Sequence, residues 1–216
     1  MLIDSVTWLG HAGFRVDAPG ATVYIDPYRV PAGAPRADLV LVTHGHYDHF
    51  SPRDVDALSD HDTWLVGPPV VVERARGRVA AITPGQTLEL EHLHGIDVTA
   101  VAAYNTSKRD SEGEPFHPRA GGGVGFDLNV RGERLYHAGD TDVIPEMDHV
   151  VGVDVALLPV CGTYVMTAAE AVEAARRIQP RVAVPSHWGA HLGSRADADR
   201  FAAGAPVETR VLDPAG

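Results

Sequence analysis

The chain has one cysteine, Cys161, which excludes an internal disulfide framework and fits a reducing compartment. Long apolar runs are also lacking. The stretch 153–160 is interrupted by Asp154 and Pro159 and is far shorter than the roughly 20 residues a membrane helix needs. The first residues, Met1-Leu2-Ile3-Asp4, carry neither a basic region nor an apolar signal core. They read as the start of the fold, with a cytoplasmic location as the default expectation. Positive charge is scarce: 18 Lys and Arg stand against 29 Asp and Glu, a net charge of −11 with neutral histidines. Such a surface repels polyanions at long range and argues against long nucleic acid as a partner. No low-complexity tract, charge block or linker divides the 216 residues, so one domain over 1–216 is expected. Neither a Ser/His/Asp nucleophile elbow nor a phosphate loop is present. The run Gly121–Gly123 is followed by neither a lysine nor a helix start, so close backbone packing explains it better.

What the sequence has in excess is histidine, 12 residues, several of them beside aspartates. Short strands punctuated by Gly, Pro and Asp are expected at 5–9, 14–17, 22–25 and 39–43. The last is an unbroken apolar run of the kind buried on both faces of a sheet. It leads into Thr43-His44-Gly45-His46-Tyr47-Asp48-His49. A helix start follows: Ser51 as cap, Pro52 in the first turn and Asp54 as a capping-box acid. Further strands are expected at 63–66, 79–83, 87–90, 96–103, 124–130, 134–136, 153–158, 182–185 and 207–212. Helices are expected from Thr167, capped with Glu170 and stopped before Pro180, and over about 194–203. Two strand-rich runs, each followed by helices, predict sheet packed on sheet with helices outside.

His44 and His46 lie two apart, so on extended backbone both imidazoles reach one side. Asp48 and His49 add an oxygen and a nitrogen within the same few residues. Such a cluster is costly to desolvate unless the donors share a divalent cation. The remaining ligands must come from distant strand ends, and three places offer them. These are His137-Ala138-Gly139-Asp140-Thr141-Asp142, Pro185-Ser186-His187-Trp188 and Phe116-His117-Pro118. Asp26 and Asp142 are candidates for orienting the ligands, with ordinary turn chemistry as the alternative. His11 either faces the site or satisfies backbone groups. His137 is weighed toward a satisfied core histidine, and Cys161 toward a small buried residue. Tyr104, Lys108 and Trp188 are candidates for the pocket wall. His61, His92, His94, His149 and His191 are assigned to surface or loop.

The pattern His44-x-His46-x-Asp48-His49, then Gly139-Asp140-Thr141, then His187 at a late strand end, resembles the metallo-β-lactamase superfamily. It is most similar to the compact ascorbate-phosphate-lactonase-like hydrolases, and the similarity runs from Trp8-Leu9-Gly10-His11 and Ile25-Asp26-Pro27 to the closing helix. The resemblance implies an α+β fold, a four-layer αββα sandwich. It also implies two divalent metal ions, zinc first, with manganese or iron as alternatives. His44 and His46 would hold the first ion, Asp48, His49 and His187 the second, and Asp140 would bridge them. Many members place a further histidine where this chain has Asn105, and His117 is the candidate replacement. The implied activity is hydrolysis of a small ester, lactone or phosphodiester by a metal-activated hydroxide, with Asp48 and Asp140 catalytic. Two rivals are an iron-dependent redox member of the same fold and a metal-stabilised binding module without turnover. A homo-oligomer is compatible with every reading.

Overall fold

The computed structural model describes residues 1–90, 93, 95–190 and 192–215, so His92, His94 and His191 lie outside the described residues. The strands form two sheets. The first, in spatial order, is β1 (Val6–Gly10), β2 (Gly13–Ala18), β3 (Ala21–Ile25), β4 (Leu39–Leu41), β5 (Trp64–Gly67) and β6 (Arg78–Ala81). Tight turns join β1 to β3 antiparallel, and β3 to β6 then run parallel. Two helices, α1 (Pro52–Leu58) and α2 (Pro69–Val72), lie in the crossovers of the parallel part.

The second sheet repeats this plan. It contains β7 (Thr87–Leu90), β8 (Ile96–Ala102), β9 (Val124–Val130), β10 (Glu133–His137), β11 (Val155–Pro159), β12 (Val182–Ser186) and β13 (Glu208–Thr209). Pairing is antiparallel from β7 to β10 and parallel from β10 to β13, with α3 (Ala168–Ile178) and α4 (Arg195–Gly204) in the crossovers.

The period of two along each strand divides the core. Val23, Ile25, Leu39 and Leu41 join Val98, Phe126, Leu128 and Leu135 in the layer shared by the sheets. The intervening Tyr24, Val40 and Leu65 turn outward and pack with Val55 and Leu58 of α1 and Val71 of α2. On the other side, α3 buries Ala171, Ala174, Ala175 and Ile178, a helical spacing that keeps Arg176 at the surface. Full burial of a Leu, Val or Phe contributes about 1.5–3 kcal/mol each. The fold is therefore the α+β, four-layer αββα sandwich.

Local expectations fare unevenly. Thr167 and Glu170 form the expected reciprocal capping box, and Gln179 closes α3 with a left-handed φ of 51°. Ser51 caps α1 as expected, but the Asp54 carboxylate does not turn back to the cap. It accepts the backbone N–H groups of Arg29 and Val30 instead, at 3.0 and 3.2 Å, tying the β3–β4 loop to the helix. The closing strand is shorter than expected, Glu208–Thr209, because it is an edge strand paired only to β12. No helix among the described residues is long and apolar enough to cross a membrane.

Candidate metal centre

The loops that leave β4, β8, β10 and β12, together with the β1–β2 turn, carry the polar residues to one edge of the sandwich. Two backbone devices make this approach close. Gly139 adopts φ 65°, and a Cβ there would sit 2.7 Å from the Val124 carbonyl, so the turn presenting Asp140 requires glycine. Gly123 passes so near β8 that a Cβ would lie 3.2 Å from the Ala103 carbonyl, which is the close backbone packing expected of that run. His11 and His187 also hold positive φ, 53° and 57°, and the His187 N–H donates to the His11 carbonyl at 2.7 Å. Strained non-glycine backbone of this kind persists where the surroundings enforce it.

Every residue of the expected set reaches the same cleft. His44 Nε2 lies 3.0 Å from His46 Nδ1, and His117 Nε2 lies 3.3 Å from the same atom. Asp140 stands at the centre: Oδ1 is 3.3 Å from His49 Nε2, and Oδ2 is 3.3 Å from both His117 Nε2 and His187 Nε2. His49 Nε2 is 3.9 Å from Asp48 Oδ2. The donor atoms fall into three overlapping groups: His44, His46 and His117; His44, His49 and Asp140; and His11, Asp48, His49 and His187.

The supporting groups fix which nitrogen faces the cleft. Thr43 Oγ1 donates to Asp26 at 2.6 Å, so it is left to accept from His44 Nδ1 at 3.0 Å. Asp26 also accepts from the Thr43 N–H and from His49 Nδ1, at 2.8 and 2.7 Å. Asn105 Oδ1 accepts from His117 Nδ1 at 2.9 Å and from the His117 N–H at 2.8 Å. In all three histidines Nδ1–H is engaged and the Nε2 lone pair is turned into the cleft, the arrangement metal-binding histidines use.

The electrostatics point the same way. Burial pushes the Asp140 carboxyl up, but the imidazoles of His187 and His49 outweigh it and hold the group well below the usual carboxylate range. Burial opposes a charge on His187 too, yet Asp140 raises that imidazole to about 10; His49 is raised well above its usual value by Asp140 and Asp26. His44, fully buried and beside His49, is pushed well down. Asp140 is thus a buried anion that needs positive charge on several sides. His49 Nε2, Asp140 Oδ1 and His187 Nε2 are buried without a hydrogen bond of proper geometry. Converging, partnerless nitrogens around a buried carboxylate are the donor set of a divalent cation, and the residues present fit one.

Other expectations are refined or corrected. His11 belongs with the site: its Nε2 is 2.9 Å from Asp48 Oδ2 and its ring centroid is 4.0 Å from that of His187. Burial pushes the Asp48 carboxyl up, but the hydrogen bond from His11 brings it well below its usual value. His137 is the satisfied core histidine, bonded to the Ala12 carbonyl and the Gly139 N–H. Asp142 gathers the N–H groups of Thr106 and Ser107 at 2.8 and 2.6 Å and so shapes the loop bearing Asn105. Tyr104, Lys108 and Trp188 do not line the histidine cleft. Tyr104 bonds Glu146, Lys108 pairs with Glu170, and Trp188 packs on Trp8 at 4.5 Å. Cys161 is only partly buried rather than a small core residue; burial pushes its thiol up, but the neighbouring His187 outweighs this and holds it below the usual value. His61 and His149 are exposed, as expected.

Comparison with known proteins agrees with this geometry. The model of the beta-lactamase superfamily domain matches residues 5–187. A metal-dependent hydrolase of Methanopyrus kandleri is 35% identical over 231 residues, covering 97% of this chain and 96% of the relative. The crystal structure of a candidate metal-dependent hydrolase from Parabacteroides distasonis superimposes with a TM-score of 0.81 at 29% identity, covering 96% of this chain and 93% of that one. The metallo hydrolase Igni18 of Ignicoccus hospitalis shares the fold, with a TM-score of 0.78 at 22% identity over 97% and 94% of the two chains. With its two sheets, its histidine-aspartate cleft and a family match over most of its length, the chain belongs to the metallo-β-lactamase superfamily.

Proposed function

We propose that the chain is a dinuclear metal-dependent hydrolase acting on a small ester, lactone or phosphodiester. The observation that carries this reading is the Asp140 carboxylate, 3.3 Å from each of His49, His117 and His187 and buried between the two histidine groups. In this reading His44, His46 and His117 would hold one ion and Asp48, His49 and His187 the other, with Asp140 shared between them. Bound there, two cations supply Lewis acidity and lower the pKa of water to about 7. The nitrogen-rich donor set favours zinc, with manganese and iron as alternatives.

The chain's own residues do the positioning. Asp48 takes a hydrogen bond from His11 and is more exposed than the other carboxylate, so it is placed both to bind metal and to orient an attacking water. Asp26, Thr43 and Asn105 hold the imidazoles in the required tautomers. Asp140→Ala tests the reading: tight metal binding and turnover of an ester, lactone and phosphodiester panel should both fall to background. Hydrolysis that survives the substitution with metal still bound contradicts it.

A further inference from the structure

The cleft has two lobes that share His46, Phe116, His117 and Asp140. One lobe, of about 250 Å³, continues past Gly45 and Val70 to Arg74. The other, of about 370 Å³, is walled by Tyr47, Tyr164 and Leu192. His46, His117 and Asp140 therefore lie where the lobes meet, and the two ends differ in chemistry.

Arg74 is the one lysine or arginine among the described residues lining either lobe. Its Nη1 donates to the Gly45 carbonyl at 3.0 Å, and its guanidinium carbon lies 5.2 Å from the centroid of the Phe50 ring. Those two contacts fix the side chain, but neither neutralises it, and among the described residues no carboxylate pairs with it. In a chain of net charge −11, this guanidinium brings an uncompensated positive charge to the cleft. A carboxylate or phosphate is its natural complement, because the planar fork of donors matches both. The opposite lobe is aromatic at its rim. Tyr47 and Tyr164 are 67% and 37% exposed, and Val70, at 44%, flanks the first lobe; these are three of the five large apolar side chains exposed among the described residues. Large apolar groups gathered at one cleft mark a ligand surface.

We infer that Arg74 is the anion-recognising residue of this cleft and that the substrate is amphiphilic, its hydrolysable bond lying between a carboxylate or phosphate group, seated at Arg74, and an apolar group, seated against Tyr47 and Tyr164. The inference rests on the hydrolase reading for the bond cleaved, but not for the binding. Metal-loaded protein is titrated calorimetrically with 4-phenylbutyrate, 3-phenylpropylphosphonate and neutral 4-phenylbutanol. Wild type should bind at least one of the two acids about five- to tenfold more tightly than the alcohol, and which acid leads tells carboxylate from phosphate. Arg74→Ala should abolish that preference, Arg74→Lys should restore part of it, and Tyr47→Ala should weaken acid and alcohol alike. A preference that survives in Arg74→Ala means the ions alone take the anion and overturns the inference; so does equal binding of acid and alcohol by wild type. Turnover by wild type of a panel of esters, lactones and phosphodiesters that carry a carboxylate or phosphate is scored separately. Its absence across the panel alongside intact acid preference refutes hydrolysis and leaves the binding assignment standing.

Discussion

Asn105 gives its amide oxygen to His117 and its amide nitrogen to Asp142 and the Tyr164 carbonyl, at 3.2 and 2.9 Å. Asn105 thus positions His117, the proposed ligand of the first ion. Asn105→Ala removes the acceptor that fixes the His117 tautomer. Affinity for the ion held by His44, His46 and His117 should fall about 10- to 100-fold in a chelator competition. Asn105→Asp, which keeps the acceptor, should lose less; equal affinity in all three proteins contradicts the role. The convergence of the proposed ligands was legible in the sequence, because His44, His46, Asp48, His49, Asp140 and His187 each follow an apolar run that ends in polar residues. Asn105 and His11 were not legible in the same way. Their roles depend on hydrogen bonds to residues 12 and 37 positions away, and no local pattern encodes that.

Elements were readable where one local rule acted alone. The capping box of α3 is such a case, and its contribution can be tested without touching the cleft. Thr167→Ala should destabilise the protein by about 1 kcal/mol in denaturant unfolding, with metal content unchanged. A loss below a few tenths would mean the cap adds little in this context. At α1 two rules competed. Asp54 had the sequence position of a capping acid, but the β3–β4 loop brought two unpaired N–H groups within its reach. Loop backbone donors are best satisfied by a nearby acceptor, and tertiary contact decided which donors the carboxylate served. Arg74 was illegible for a similar reason: nothing in its local sequence indicates that it lies beside Gly45.

At the scale of the molecule, the cleft is supplied by both sheets. His44, His46, Asp48 and His49 follow β4 of the first, while Asp140 and His187 follow β10 and β12 of the second. Ions bound there would join the two halves and favour the folded state, and so would stabilise it by mass action. At a free metal concentration 100 times Kd the gain is about 2.7 kcal/mol per site, or roughly 5–10 °C in Tm for a chain of this size. Chelation followed by calorimetry should show that drop, and readdition of metal should reverse it. An unchanged Tm would mean that the site is empty or weakly held.

The central claim is that donors from distant strand ends share a pair of ions through Asp140. Crystals of metal-loaded protein measured at the absorption edge of the bound metal test it most directly. The account predicts two anomalous peaks, one ringed by His44, His46 and His117, the other by Asp48, His49 and His187, with an Asp140 oxygen against each. No peak in the cleft, or ions that leave Asp140 uncoordinated, would contradict it.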